Sequence, residues 1–147
     1  MATRTEAREV ALQVLYQDDL NPRGNPAVGD QMIADRLADE ATVEFARELV
    51  AGARRHRAEI DQALGQSATN WSLDRMAVTD RAVLRIGAYE ILYGGTPVAV
   101  AIDEAIELAR RFGTAQSAQF VNGVLDALVQ GSSDEPRVTN DAKNTET

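Results

Sequence analysis

The stretch TDRAVLRIGAYEILY, residues 79–93, is apolar on nearly every side of a helix and carries only Asp80, Arg81, Arg85 and Glu90 as charges. A surface helix needs one apolar stripe, whereas a helix that is apolar all round needs neighbours all round. Residues 79–93 are therefore the expected central helix of an all-α fold. Gly94, Gly95 and Pro97 close it, since they favour turns or interrupt helical hydrogen bonding.

Downstream, residues 98–112 repeat a helical stripe through Val98, Ile102, Ala105, Ile106, Ala109 and Phe112. Asp103 and Glu104 near the start, and Arg110 and Arg111 near the end, match the helix dipole, and Gly113 is expected to supply a left-handed stop. A last helix is expected over 117–129, with Phe120, Val121, Val124, Leu125, Leu128 and Val129 inward and Gly123 at a close helix contact. Residues 131–147 hold too little apolar surface to offset the entropy of ordering them, which predicts a disordered polar tail.

Upstream, Ala7, Val10, Ala11, Val14 and Leu15 mark a first amphipathic helix over about 5–20. NPRGNPAVG, residues 21–29, reads as a loop because of its two prolines and two glycines. A short helix over 30–37 and a long one over about 41–64 follow, the latter with Ala46, Leu49, Val50, Ala53, Ile60 and Leu64 inward. After a polar break at 65–70, Trp71, Leu73 and Met76 read as a short apolar turn capping the core. The sequence shows neither strand alternation nor an internal repeat.

Composition narrows the chemistry. The 147 residues include no cysteine and one histidine, His56, so disulfides are excluded and a zinc site of the usual ligands nearly so. Asp103 and Glu107 share a helix face with Glu104 beside them, and a solvated acidic face accounts for these three as it does for His56 in its basic run. No activated nucleophile, acid–base pair or glycine-rich phosphate loop stands out, so neither a catalytic residue nor a cofactor or metal is expected. The net charge of −8 opposes RNA at long range and favours a basic protein partner. The run ARRHR at 53–57 is the densest basic patch, readable either as RNA contact or as a face paired with nearby acids. No run is long and apolar enough for a membrane span, and the N-terminus lacks the pattern of a signal peptide, which predicts a cytoplasmic protein.

Three blocks carry a resemblance: TRTEAREVALQVLYQDDL at 3–20, DRAVLRIGAYEIL at 80–92, and PVAVAIDEAIELARRFGTAQSAQFVNGVLDALV at 97–129. Together, over about 4–130, they resemble the NusB family. The resemblance implies an all-α, NusB-like bundle of about seven helices in two packed subdomains. It also implies a non-enzymatic transcription antitermination factor that binds boxA-containing single-stranded leader RNA jointly with the ribosomal protein NusE, supporting ribosomal RNA transcription by the elongation complex. In the family an arginine-rich segment at the first helix contacts RNA, and that role carries over to Arg4 and Arg8; Thr5 and Glu6 stand where relatives often have arginine. Part of the RNA and partner surface falls at the start of the central helix and the turn before the last one. These positions are Asp80 for the partner, with Gln116 and Phe120 for RNA.

Other readings stay open for several of these residues. Phe120 serves equally as a base-stacking ring or as a core aromatic beside Val124, and Asp80 equally as a recognition carboxylate or as a helix N-terminal acid. Two whole-chain alternatives also stand. One is the NusB-like N-terminal domain of RNA cytosine methyltransferases, although the chain has neither that enzyme's glycine motif nor its catalytic cysteine. The other is a helical adaptor that has lost RNA binding, which the thinned arginine segment and acidic charge favour. Whether the free chain is a monomer or a homodimer is left open.

Overall fold

A computed structural model describes residues 3–68 and 72–133. Its helices are α1 (Arg4–Leu20), α2 (Pro26–Arg36), α3 (Glu40–Arg55), α4 (Arg57–Ser67), α5 (Val78–Tyr89), α6 (Val98–Phe112) and α7 (Ser117–Ser133). A 3₁₀ turn, Leu73–Arg75, precedes α5, and a π turn, Glu90–Gly94, extends it. Among the described residues there is no strand. The first three helices form one half and α4 to α7 the other, with α5 packed between them against α1, α3, α4, α6 and α7. As its sequence demands, Ala82 through Ile91 is buried without interruption.

Local signals fix the starts of the first three helices. The Thr3 side chain accepts from Glu6 N–H while the Glu6 carboxylate accepts from Thr3 N–H, a reciprocal cap that fixes where α1 starts. In α3 the Asp39 carboxylate accepts from Thr42 N–H. The inward stripes expected for α1 and for the helix over 41–64 are all buried.

Six expectations need correction. The loop at 21–29 is shorter, because Pro26 opens α2 at its first position, where the missing N–H costs nothing, and Asn25 caps Ala27 N–H. The helix expected over 41–64 breaks at His56, which leaves helical geometry at φ −102°, ψ 19° and divides α3 from α4. Gly113 is not left-handed but extended, at φ −100°, ψ −157°. It is needed for space instead, since a Cβ there would lie 2.6 Å from Ser117 Cβ and 2.8 Å from Ala109 O. Among the described residues the left-handed glycine is Gly95, at φ 76°. Gly123 faces open space rather than a neighbouring helix, and Phe112 is 39% exposed rather than inward. Helix α7 also continues past 129 to Ser133; the rest of the expected polar tail, and Trp71, lie outside the described residues.

Helices α1 and α5 run antiparallel, and charged groups fasten them at both ends. At one end Glu90, 1% exposed, accepts two hydrogen bonds of 2.8 Å from Arg8 and a third of 2.6 Å from Thr96 Oγ1. At the other, the Asp19 carboxylate accepts from Arg81 and Arg85, and Arg85 also reaches Asp61 on α4. Arg81, Arg85 and Glu90 of the central helix thus lie at its two fastenings to α1.

Candidate nucleic-acid interface

The five residues predicted from sequence fall into two groups at opposite ends of the central rod. Arg4 and Arg8 lie beside Gly94, Gly95 and Thr96, where a cleft of about 350 Å³ opens between α1 and the start of α6. Asp80, Gln116 and Phe120 meet at the other end, around a groove of about 500 Å³ between the starts of α5 and α7. Fourteen residues of helix separate Asp80 from Gly94, or about 21 Å at 1.5 Å per residue.

In the first group the two arginines differ. Arg8 is 3% exposed, and its guanidinium is consumed by Glu90, with Glu104 a further 3.5 Å away. Burial pulls its pKa down, but the hydrogen bond and charge of Glu90, with Glu104 behind, outweigh that and leave it above the ordinary arginine value. It is a charge already neutralised inside the fold. Arg4 is exposed, and no carboxylate pairs with it among the described residues; its guanidinium carbon lies 4.4 Å from the centre of the Phe45 ring. Arg4 therefore keeps its charge and its hydrogen-bond donors available.

The second group combines apolar and polar surface. Phe120 is half-buried, packed against the core on one side and lining the groove on the other, so both readings of it describe part of the same ring. Gln116 is exposed beside it, and Met76 adds apolar lining from the turn before α5. One oxygen of Asp80, Oδ1, is buried with no hydrogen-bond partner among the described residues. The position of Asp80 in the first turn of α5 suits the helix dipole.

The basic run at 53–57 takes its bland reading. Arg54 is held by Asp18 at 2.8 and 2.9 Å, and Arg57 reaches Asp19 and Asp61, so two of its three arginines face acids. His56 lies against Tyr93, ring centres 3.9 Å apart and 8° from parallel, which accounts for it without a metal. No cluster of metal-ligating residues occurs among the described residues.

Sequence reading missed Glu90, Thr96, Phe45 and Met76. Glu90 was detectable, since it is the one charge in the otherwise apolar second half of the central helix, where a buried carboxylate calls for a cation. Phe45 carried no such signal, because its contact depends on how α3 crosses α1.

The sequence profile described as the NusB family matches residues 5–130. The chain belongs to the NusB family. Relatives named transcription antitermination protein NusB include that of Elusimicrobium minutum, 45% identical over 132 residues and covering 87% of this chain and 94% of its own. That of Symbiobacterium thermophilum is 42% identical over 139 residues, covering 88% and 90%. Among solved structures, T. maritima NusB superposes with a TM-score of 0.79 at 34% identity, covering 88% of this chain and 92% of that one. A second neighbour comes from a crystal of the antitermination factors NusB and NusE with double-stranded RNA, and has a TM-score of 0.79 at 28% identity, covering 87% and 96%. The NusB-like fold and the non-enzymatic, antitermination character expected from the sequence stand with this family. No helix among the described residues is long and apolar enough to cross a membrane.

Proposed function

We propose that this NusB-family chain is a cytoplasmic antitermination factor that holds boxA leader RNA jointly with the ribosomal protein NusE and delivers both to the transcription elongation complex. The observation that carries this reading is family membership over residues 5–130, together with a fold neighbour crystallised with NusE and RNA. The local geometry adds a division of labour. Arg4 supplies an uncompensated cation at one end of the central helix, and Asp80, Gln116 and Phe120 supply recognition groups at the other. Arg8 contributes by holding α1 in place.

One free arginine is a small electrostatic term, because each phosphate contact on a single strand adds about 0.7 to the slope of log affinity against log salt. Joint binding overcomes this, since a basic partner matches the acidic chain and turns the second RNA contact into an intramolecular event. The test is RNA binding by the protein alone and with NusE, at two salt concentrations, against boxA RNA and a scrambled control. The expected result is preferential and much tighter binding of boxA by the pair.

A second reading, a protein adaptor without RNA contact, is favoured by the net charge of −8 and by the pairing of Arg54 and Arg57 with acids. A pair that forms but ignores RNA sequence would establish it. Arg4→Ala discriminates the two more cleanly than removal of both arginines, because loss of Arg8 also disturbs the core. A homodimer that hides the RNA surface would reveal itself as RNA affinity rising when the free protein is diluted below its dimer dissociation constant.

A further inference from the structure

Helix α1 places Arg4 and Arg8 on one face, one turn apart, and Phe45 of α3 lies beneath both. The guanidinium carbon is 4.4 Å from the ring centre for Arg4 and 5.1 Å for Arg8. Arg8 is fixed independently by Glu90, and it therefore anchors the ring and the helix start. Phe45 is half-buried and packs against the core, so one face of the ring belongs to the fold and the other to the cations.

We propose that Phe45 is a positioning residue for RNA, a ring that holds Arg4 at the mouth of the cleft beside Gly94 and Thr96 with its charge and all its donors unspent. The inference rests on the joint-binding reading and adds a residue outside its arginine segment. A carboxylate would hold Arg4 as firmly but would neutralise it and occupy its N–H groups. An aromatic face attracts the cation through the ring quadrupole and uses none of the five donors. The side chain is thereby ordered before the RNA arrives, and the entropy of ordering a long arginine is not charged to binding. The acids of the cleft support the same arrangement: Glu90 is engaged by Arg8 and Thr96, and Glu104 accepts from Thr5 at 2.9 Å and lies 3.5 Å from Arg8.

The experiment compares the full chain with Phe45→Leu, Phe45→Tyr, Arg4→Ala and the Phe45→Leu, Arg4→Ala double variant. Two readouts are taken. The first is the ring-current displacement of the Arg4 side-chain protons in the free protein. The second is the Kd for single-stranded boxA RNA in the presence of NusE at two salt concentrations. Phe45→Leu, which keeps an apolar side chain in the core, should abolish the displacement and raise Kd about two- to five-fold. Phe45→Tyr should restore both, and Phe45→Leu should have no further effect once Arg4 is alanine. The proposal is overturned if Phe45→Leu weakens RNA equally in both backgrounds, which marks a purely structural ring, or if it leaves either readout unchanged. The joint-binding reading fails separately, through a wild-type pair that does not distinguish boxA from the scrambled strand; the Phe45–Arg4 coupling is then read on the scrambled strand. A wild-type pair that binds neither strand overturns both.

Discussion

Arg8 and Arg4 show how four residues of sequence separate two roles for one side-chain type. Both open the first helix and both belong to the arginine segment that the family resemblance implies. Only Arg8 meets Glu90, and a buried pair of this kind is costly to break from one side because the remaining charge stays in the core. Arg8→Ala should therefore lower stability by about 3–5 kcal/mol in urea unfolding, a loss caused by Glu90 left without its cation. The pair replacement Arg8→Met with Glu90→Leu should recover most of that loss, and failure to recover would mean that the ion pair itself, not burial, holds the helices. Any RNA defect of Arg8→Ala needs correction for unfolding, whereas Arg4→Ala should leave stability nearly unchanged.

At the scale of elements, α3 meets α5 where Gly52 faces the Tyr89 ring. A Cβ on Gly52 would fall inside the van der Waals envelope of the Tyr89 ring. Gly52→Ala should cost about 1–3 kcal/mol by overpacking, although alanine is the better helix former, and thermal unfolding of Gly52→Ala with and without Tyr89→Leu measures whether the ring is the obstacle. This contact illustrates which elements were legible. The apolar stripes of α1, α3 and α4 and the enclosed pattern of α5 are periodic, so they could be read from residue spacing alone. Gly52, Gly113 and Phe45 owe their importance to residues brought near by the fold, and spacing along one helix does not encode that. Pro26 was misread because proline ends a helix from inside but begins one from its first position, and local sequence shows both as a break. Of the candidate surface, the grouping of Asp80 with Gln116 and Phe120 follows from the family resemblance, while the inward turn of Arg8 required the structure.

For the whole molecule, the join between α1, α4 and α5 is electrostatic at its far end. The Asp19 side chain is 4% exposed. Burial raises its pKa, but the hydrogen bond from Arg81 and the charge and hydrogen bond of Arg85 outweigh this and hold it below the ordinary 3.8. A depressed carboxylate stabilises the fold above its unfolded pKa and loses that contribution as pH falls through its folded value. Wild type should thus exceed Asp19→Asn in melting temperature at pH 7, and the gap should close progressively below pH 3.8. A gap that persists in acid would assign the effect to packing. The same antiparallel pairing of α1 with α5 has a consequence for the length of nucleic acid engaged. Arg4 lies beside Gly94 and Phe120 beside Asp80, positions that the rise of the central helix sets about 21 Å apart. Under the proposed reading, a strand that touched both ends would span roughly six nucleotides at about 3.4 Å per stacked nucleotide, and the number of helical turns between them would set its footprint.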